Sequence, residues 1–284
     1  MLTIAVQKTG RLSEKTLHLL KECGIQFENG GKDKLKTKAS NFPLTILFLR
    51  DDDIPECIAD QIADAGVIGE NILVEKEKPL EIAERLGFAR CRLSIAVPKS
   101  MNYRSSQDLN GLKIATSYPK ILQAFLDKNN LDSQIHEING SVEIAPGIGL
   151  SDVIFDIVST GSTLLSNGLK EVETVMQSEA VLVTRKDLNP DKQAILDQFL
   201  FRVRAVRKAA AYKYILLNAP NDKIDAICNV LPGMKSPTVM PLALDGWSSL
   251  HSVIREDDFW EIIENLKQEG AQGILVIPIE KMIM

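Results

Sequence analysis

Residues 151–168 read SDVIFDIVSTGSTLLSNG. An apolar, strand-like run carries one acid, Asp156, and then breaks into Ser159, Thr160, Gly161, Ser162 and Thr163 before a helix-like LLSN. Such a turn gathers successive backbone N–H groups at a helix start, its glycine lets the chain approach a ligand closely, and its hydroxyls add donors. Together these make a phosphate cradle. An acid just ahead of the cradle suits the hydroxyls of a sugar attached to that phosphate. The plainer reading is a capped turn after a strand, with Asp156 on an exposed edge. In QKTGR (7–11), Lys8 and Arg11 flank a glycine turn, and an arginine can grip an anion through two parallel hydrogen bonds. A solvated turn explains the same residues. Arg50, Asp51, Asp52 and Asp53 gather three acids beside an arginine, either as helix caps or as contacts to ribose hydroxyls or, through water, to Mg2+. Thr116, Ser117 and Tyr118 precede Pro119 and read as a helix start with a second set of anion donors. Glu143 in NGSVEIAP is a lone loop acid. GxxxxGK[ST] and GxSxG are both absent, which argues against a P-loop kinase or ATPase and against a nucleophile elbow.

The composition narrows the classes further. Of 284 residues, 45% are hydrophobic and 25% charged, ordinary for a globular chain long enough for more than one core. A net charge of −5 gives no global field for nucleic acid or anionic membrane, so phosphates must be met by local donors. No run approaches the ~20 apolar residues that span a bilayer, and the N-terminus has no leader pattern, so a cytoplasmic location is expected. Cys23, Cys57, Cys91 and Cys228 are scattered without a CxxC pair, as expected of buried thiols in a reducing compartment. His18, His136 and His251 are too dispersed to suggest a ligand set.

The elements that must position these groups follow an alternating plan. Strands are predicted at 2–7, 43–50, 65–69, 91–98, 113–117, 133–139 and 152–158, with helical stretches between them. Ser13 is predicted to cap a first helix, with Leu12 and Leu17 as its hydrophobic staple and Gly24 as its stop. A second helix is predicted from about Asp53, with Pro55 in its first turn. This alternation predicts mainly parallel sheets with helices on both faces, and ligands beyond the carboxyl ends of the strands. A long helical pattern over 190–211 leads into a last third with the order βαββαβ, the ferredoxin-like plan.

In this arrangement the chain resembles the long-form ATP phosphoribosyltransferases, the first enzymes of histidine biosynthesis. The resemblance rests on QKTGRLS, LRDDDIP, GVIGEN, CRLSIA, LNGLKIATSYP, NGSVEIAP, DVIFDIVSTGSTLLSNGL, LPGMKSPTVMPLA and ILVIPIEKM, in that order over essentially the whole chain. It implies an α/β protein of two lobes like a periplasmic binding protein of the second type: 1–90 with 180–207, and 91–179. A ferredoxin-like regulatory domain would follow over 208–284. It implies that Asp156 and Glu143 hold the ribose of phosphoribosyl pyrophosphate and that Ser159, Thr160, Gly161, Ser162 and Thr163 hold its 5′-phosphate. Lys8 and Arg11 would stand by the pyrophosphate and carry the catalysis. Arg50, Asp51, Thr116, Ser117 and Tyr118 would seat ATP. Asn218, Met234, Ser236, Thr238 and Gly273 would contact histidine as a feedback inhibitor. Mg2+ is implied without specified ligands, as is a homo-oligomer that is a dimer when active and a hexamer when inhibited. Lys34 stands where many relatives have arginine, and Asn218 where some have an acid. The rivals are a two-lobe solute receptor or silent sensor on the same fold, and a phosphoribosyltransferase acting on another base.

Overall fold

The computed structural model describes residues 1–28, 35–231 and 233–283; Lys34 lies outside the described residues. Along the chain, β1 (Leu2–Gln7) leads into α1 (Arg11–Glu22), β2 (Lys36–Lys38), β3 (Leu44–Leu49), α2 (Ile54–Ala59), β4 (Ala65–Gly69), α3 (Glu70–Lys76) and β5 (Leu80–Arg85). Then come β6 (Cys91–Pro98), β7 (Lys113–Thr116), α4 (Pro119–Asn129), β8 (Gln134–Glu137), β9 (Val153–Val158), α5 (Ser162–Ser166) and β10 (Leu169–Ser178). β11 (Ala180–Arg185) and α6 (Pro190–Ala210) precede β12 (Tyr212–Pro220), α7 (Ile224–Val230), β13 (Thr238–Pro241), β14 (Trp247–Arg255), α8 (Phe259–Gln268) and β15 (Gln272–Pro278).

The strands form three sheets, ordered β2-β3-β1-β4-β11-β5, β10-β6-β9-β7-β8 and β13-β14-β12-β15. The first two are mixed, not mainly parallel. β1 runs parallel to β3 and β4, and β7 runs parallel to β8 and β9. β11 lies antiparallel between β4 and β5, while β6 is antiparallel to both β9 and β10. β10 and β11 belong to different sheets and Glu179 alone separates them, so one extended segment leaves the second sheet and enters the first.

Strand composition explains the packing. The β1 residues Leu2, Ile4, Ala5 and Val6 are fully buried, as expected of a strand covered on both faces. In α4, Ile121, Leu122, Phe125 and Leu126 recur at helical spacing and join the core under β6, β7 and β9. The first helix corrects the expectation for Ser13. Gly10, at φ +95°, ends the β1 turn and the helix begins at Arg11. Ser13 is therefore buried within the first turn of the helix and is not its cap. Gly24, at φ +73°, does end that helix region.

The chain divides into two compact units, Met1–His18 with Ile25–Leu196, and Leu19–Gly24 with Asp197–Met284. This boundary falls inside α6, ahead of the anticipated junction at 207/208. The second half of the helix is tied to its own unit, since Met282 donates its N–H to the Ala205 carbonyl at 3.0 Å and Arg202 Nη1 donates to the Cys23 carbonyl at 3.2 Å. Cys23 is buried, which pushes its thiol up to about 12, while the other three thiols are partly exposed. In the second unit, Ile215, Leu217, Ala219, Ile227, Leu250 and Leu266 form one core between the sheet and its helices. Its element order and sheet order are those of a ferredoxin-like fold.

Candidate active site and effector site

In the first unit a cavity of about 620 Å³ lies between the carboxyl-end loops of the first two sheets. That volume falls within the ~300–1,000 Å³ usual for small-molecule clefts. Asp51 and Asp52 line one side, and Ser117, Tyr118, Asn139 and Gly140 the other, with Asp156 between them. Five of the residues picked from the sequence, Asp51, Asp52, Ser117, Tyr118 and Asp156, thus share one space. Asp156 sits on β9 opposite Ser94 of β6. Burial raises its pKa to about 6, reinforced by the nearby Glu143 charge and opposed by a hydrogen bond from the Ile157 backbone. Burial also raises Asp51, with Asp52 adding to the effect and the Asp52 N–H opposing it. The Tyr118 phenol is held strongly protonated, first by burial and then by the charges of Asp156, Asp51 and Asp52.

From Asp156 the chain runs directly into the hydroxyl-rich turn. Gly161 adopts φ +79°, in the left-handed region, and no side chain caps the first turn of α5. The first N–H groups of α5 therefore have no side-chain cap. Ser159, Thr160, Ser162 and Thr163 are exposed, and the Thr160 and Ser162 hydroxyls lie 3.1 Å apart. The entrance of this turn is held by a residue that the sequence reading passed over. Arg92 on β6 grips Glu171 on β10 with Nε and Nη2, each at 2.5 Å. Its Nη1 donates to the Ser159 carbonyl at 3.3 Å. CRLSIA carried the signal, but only the pairing of β6 with both β9 and β10 gives Arg92 its reach.

The other expected residues divide. Lys8 and Arg11 stand exposed at the end of β1, outside the cavity lining, and Lys8 N–H bonds the Leu49 carbonyl next to Arg50. These three cations therefore mark the ends of neighbouring parallel strands. Thr116 is fully buried and its hydroxyl accepts the Tyr118 N–H at 2.8 Å, so it shapes the turn and does not meet a ligand. The anion site expected at the start of α4 is also corrected. The N–H groups of Lys120 and Ile121 already donate to the Glu75 carboxylate, each at 3.0 Å. With Glu75 and Glu137 added to Asp51, Asp52 and Asp156, acids outnumber the lining bases Lys76 and Lys120. This acidic wall suits N–H and O–H donors better than phosphates. Among the described residues no group of three His, Cys, Asp or Glu side chains is poised to hold a metal. Asp51 and Asp52 fit an ion that arrives on substrate phosphates, the usual way in which Mg2+ is bound.

The second unit has a hollow of about 560 Å³ whose lining includes Met234, Ser236 and Thr238, together with Tyr214, His251 and Ser252. His251 is hydrogen-bonded within the protein, its Nδ1 lying 2.5 Å from the Tyr214 hydroxyl and its Nε2 3.2 Å from the Ser249 hydroxyl. The Ser252 hydroxyl is buried and has no partner among the described residues. Asn218 and Gly273 do not line this hollow. They adjoin each other across β12 and β15, with Asn218 Nδ2 3.4 Å from where a Gly273 Cβ would sit.

Known proteins match this organisation. A sequence model of the family described as ATP phosphoribosyltransferase matches residues 50–205, and one for the C-terminal domain of that family matches residues 209–281. The ATP phosphoribosyltransferase of Cytophaga hutchinsonii is 58% identical over 283 residues, covering 100% of this chain and 99% of its own length. That of Bacteroides fragilis is 57% identical over 284 residues, covering 100% of both. Among solved structures, the ATP phosphoribosyl transferase (HisG:HisZ) complex from Thermotoga maritima aligns with a TM-score of 0.63 at 28% identity, covering 72% of this chain and 97% of that one.

Proposed function

The chain belongs to the ATP phosphoribosyltransferase family and to the first step of histidine biosynthesis, and on that premise we propose how its residues divide the reaction. ATP and phosphoribosyl pyrophosphate meet in the first unit. Adenine N1 attacks the anomeric carbon as the bond from that carbon to pyrophosphate breaks, giving phosphoribosyl-ATP and pyrophosphate. The carrying observation is that Asp156, inside the cavity, lies on the strand that runs directly into the uncapped turn at Gly161. One sugar phosphate can therefore place its ribose hydroxyls on the Asp156 carboxylate and its 5′-phosphate on the amides and hydroxyls of 159–163. Glu143, close enough to raise Asp156, is the second ribose contact.

Positive charge grows on the sugar in the transition state and negative charge on the departing pyrophosphate. Ionised Asp156 favours the first, and Lys8 and Arg11 neutralise the second. Asp51, Ser117 and Tyr118 seat the nucleotide, with Arg50 at the adjoining strand end. The work is positioning and electrostatics, since adenine N1 needs no base to become a nucleophile. The family uses a divalent metal. Mg2+ would supply positive charge to offset that of the departing pyrophosphate, and Asp51 and Asp52 are the carboxylates that would hold it. In the second unit, histidine binds at Met234, Ser236 and Thr238, where the unpartnered Ser252 hydroxyl supports a polar ligand. Asn218 and Gly273 form an adjoining subsite. The enzyme is a cytoplasmic homo-oligomer, active as a dimer and held inactive as a hexamer; no helix among the described residues is long and apolar enough to cross a membrane.

The deciding experiment is a near-ultraviolet assay with ATP, phosphoribosyl pyrophosphate, Mg2+ and pyrophosphatase, with and without histidine. Product that histidine suppresses supports both assignments. Product without suppression removes the effector site, and ligand binding without product points to the silent sensor.

A further inference from the structure

Glu75 is a carboxylate with only 7% of its surface exposed, and it belongs to a helix of the first sheet. Both its oxygens are used by the second sheet's helix: Oε1 accepts the Lys120 N–H and Oε2 the Ile121 N–H, each at 3.0 Å. A helix start carries a partial positive charge and unmet donors, so a carboxylate placed there makes a charge-assisted link. A second contact runs beside it, Lys120 Nζ to Glu77 at 2.5 Å. The far end of α3 is tied to the chain crossing. Glu70 donates its N–H to the Glu179 carbonyl at 2.9 Å, Asn71 donates its N–H to the Ser178 hydroxyl at 3.1 Å, and that hydroxyl donates to Asn71 Oδ1 at 2.8 Å. α3 is therefore a strut, held at one end by the crossing segment and at the other by α4. Both walls of the cavity hang on it. Ile72, Glu75 and Lys76 line the cavity from α3, with both Glu75 oxygens taken by α4, Lys76 pairs with Asp52 at 3.3 Å, and Ser117 and Tyr118 immediately precede α4. Tyr118 itself packs into the cores of both sheets.

We propose that Glu75 is a positioning residue: its link to the start of α4 holds the Ser117–Tyr118 wall against the Asp51–Asp52 wall at the separation that accepts ATP. The proposal rests on the reading that this cavity seats the nucleotide. Without the link the two walls separate more often, and apparent affinity falls by the fraction of molecules still closed. Once ATP is bound, the reacting groups are unchanged.

Steady-state kinetics of Glu75→Ala and Glu75→Gln, each checked for folding by thermal melting, tests this. Glu75→Ala is expected to raise the KM for ATP about 10-fold with kcat changed less than about 3-fold, as a lowered closed population requires. Glu75→Gln keeps one acceptor oxygen and is expected to fall between Ala and the parent enzyme. In both variants the Lys120 and Ile121 amides exchange faster with deuterium. A folded variant with reduced kcat and unchanged KM would show only lost active enzyme and would overturn the proposal; unchanged kinetics in both variants would do the same. Ser117→Trp separates this from the underlying reading. If it leaves the KM for ATP normal, the nucleotide is not in this cavity. If it blocks ATP while the Glu75 variants keep the parent KM, only the positioning role fails.

Discussion

Asp156 shows how much one residue's surroundings decide. A carboxylate raised to about 6 binds its proton more tightly in the folded protein than in the unfolded chain. Its stabilising contribution is therefore complete below the ordinary carboxylate range and is lost as pH rises through about 6. Asp156→Asn is expected to melt at a higher temperature than the parent protein at pH 8, with the difference vanishing near pH 4. The same substitution removes the ribose contact, so stability rises as activity falls, a trade common at functional sites. In the parent enzyme kcat/KM for phosphoribosyl pyrophosphate should drop about tenfold per pH unit below 6 as the carboxylate is protonated. A flat profile between pH 5 and 7 would remove Asp156 from that role. Arg11, exposed at the end of β1, faces a simpler test. Losing one preorganised charged contact costs roughly 10²–10³ in rate. Arg11→Ala should fall in that range with an unchanged melting temperature, and near-normal turnover would dismiss it. Asp156 was legible because an acid in an otherwise apolar strand is conspicuous. Glu75 was not, since the sequence around it reads as ordinary surface charge, and the reach of Arg92 depends on β6 pairing with both β9 and β10.

Among the elements, the turn from β9 into α5 joins backbone geometry to binding. Gly161 holds φ +79° with open space around its missing Cβ, the nearest atom being Val158 Cγ1 at 3.9 Å. Nothing but the backbone conformation opposes a side chain there. A non-glycine residue in the left-handed region costs about 1–2 kcal/mol. Gly161→Ala is expected to keep the fold, lose about that much in unfolding free energy, and weaken phosphoribosyl pyrophosphate binding by shifting the 159–163 amides. Denaturant titration and substrate titration read the two effects separately; loss of neither would show that the turn is not strained. The helix starts show the limits of local reading. Ser13 has the chemistry of a cap, but Gly10 turns the chain early and the serine is enclosed. TSYP has the chemistry of an anion site, but Glu75, 45 positions away from Lys120, already fills it. In both cases a partner remote in sequence, or a backbone turn, overrode the local signal.

For the whole molecule, the proposed histidine site requires that the second unit be connected to catalysis in the first. Histidine can inhibit only by binding one state of the assembly better than the other. Thr238→Ala is expected to raise the histidine concentration needed for half-inhibition by about tenfold, the loss of roughly 1.4 kcal/mol of binding, while leaving uninhibited turnover unchanged. Sedimentation should show the parent shifting toward the larger assembly with histidine and the variant failing to do so at the same concentration. Inhibition untouched by Thr238→Ala would place the effector elsewhere, and the Asn218–Gly273 subsite would be the next position to alter.

The sequence by itself determined part of the local structure: β1, β3, β4 and β6 to β9, where Gly10, Gly24 and Gly161 turn the chain, and that a βαββαβ unit closes it, whereas β2, β5, β10 and β11 were not read from it. Hydrophobic period and glycine placement encode the former within a few residues. Strand direction was not legible, because it depends on which segments pair, and Glu179 carries the chain from one sheet back into the other. Nor was the membership of the site. Asp51, Tyr118 and Asp156 share a cavity, Glu75 closes a helix start, and His251 lines a hollow with Thr238. Each of these is a contact through space between segments far apart in the chain, and burial and charge act over distance in the folded molecule, whatever the separation in sequence.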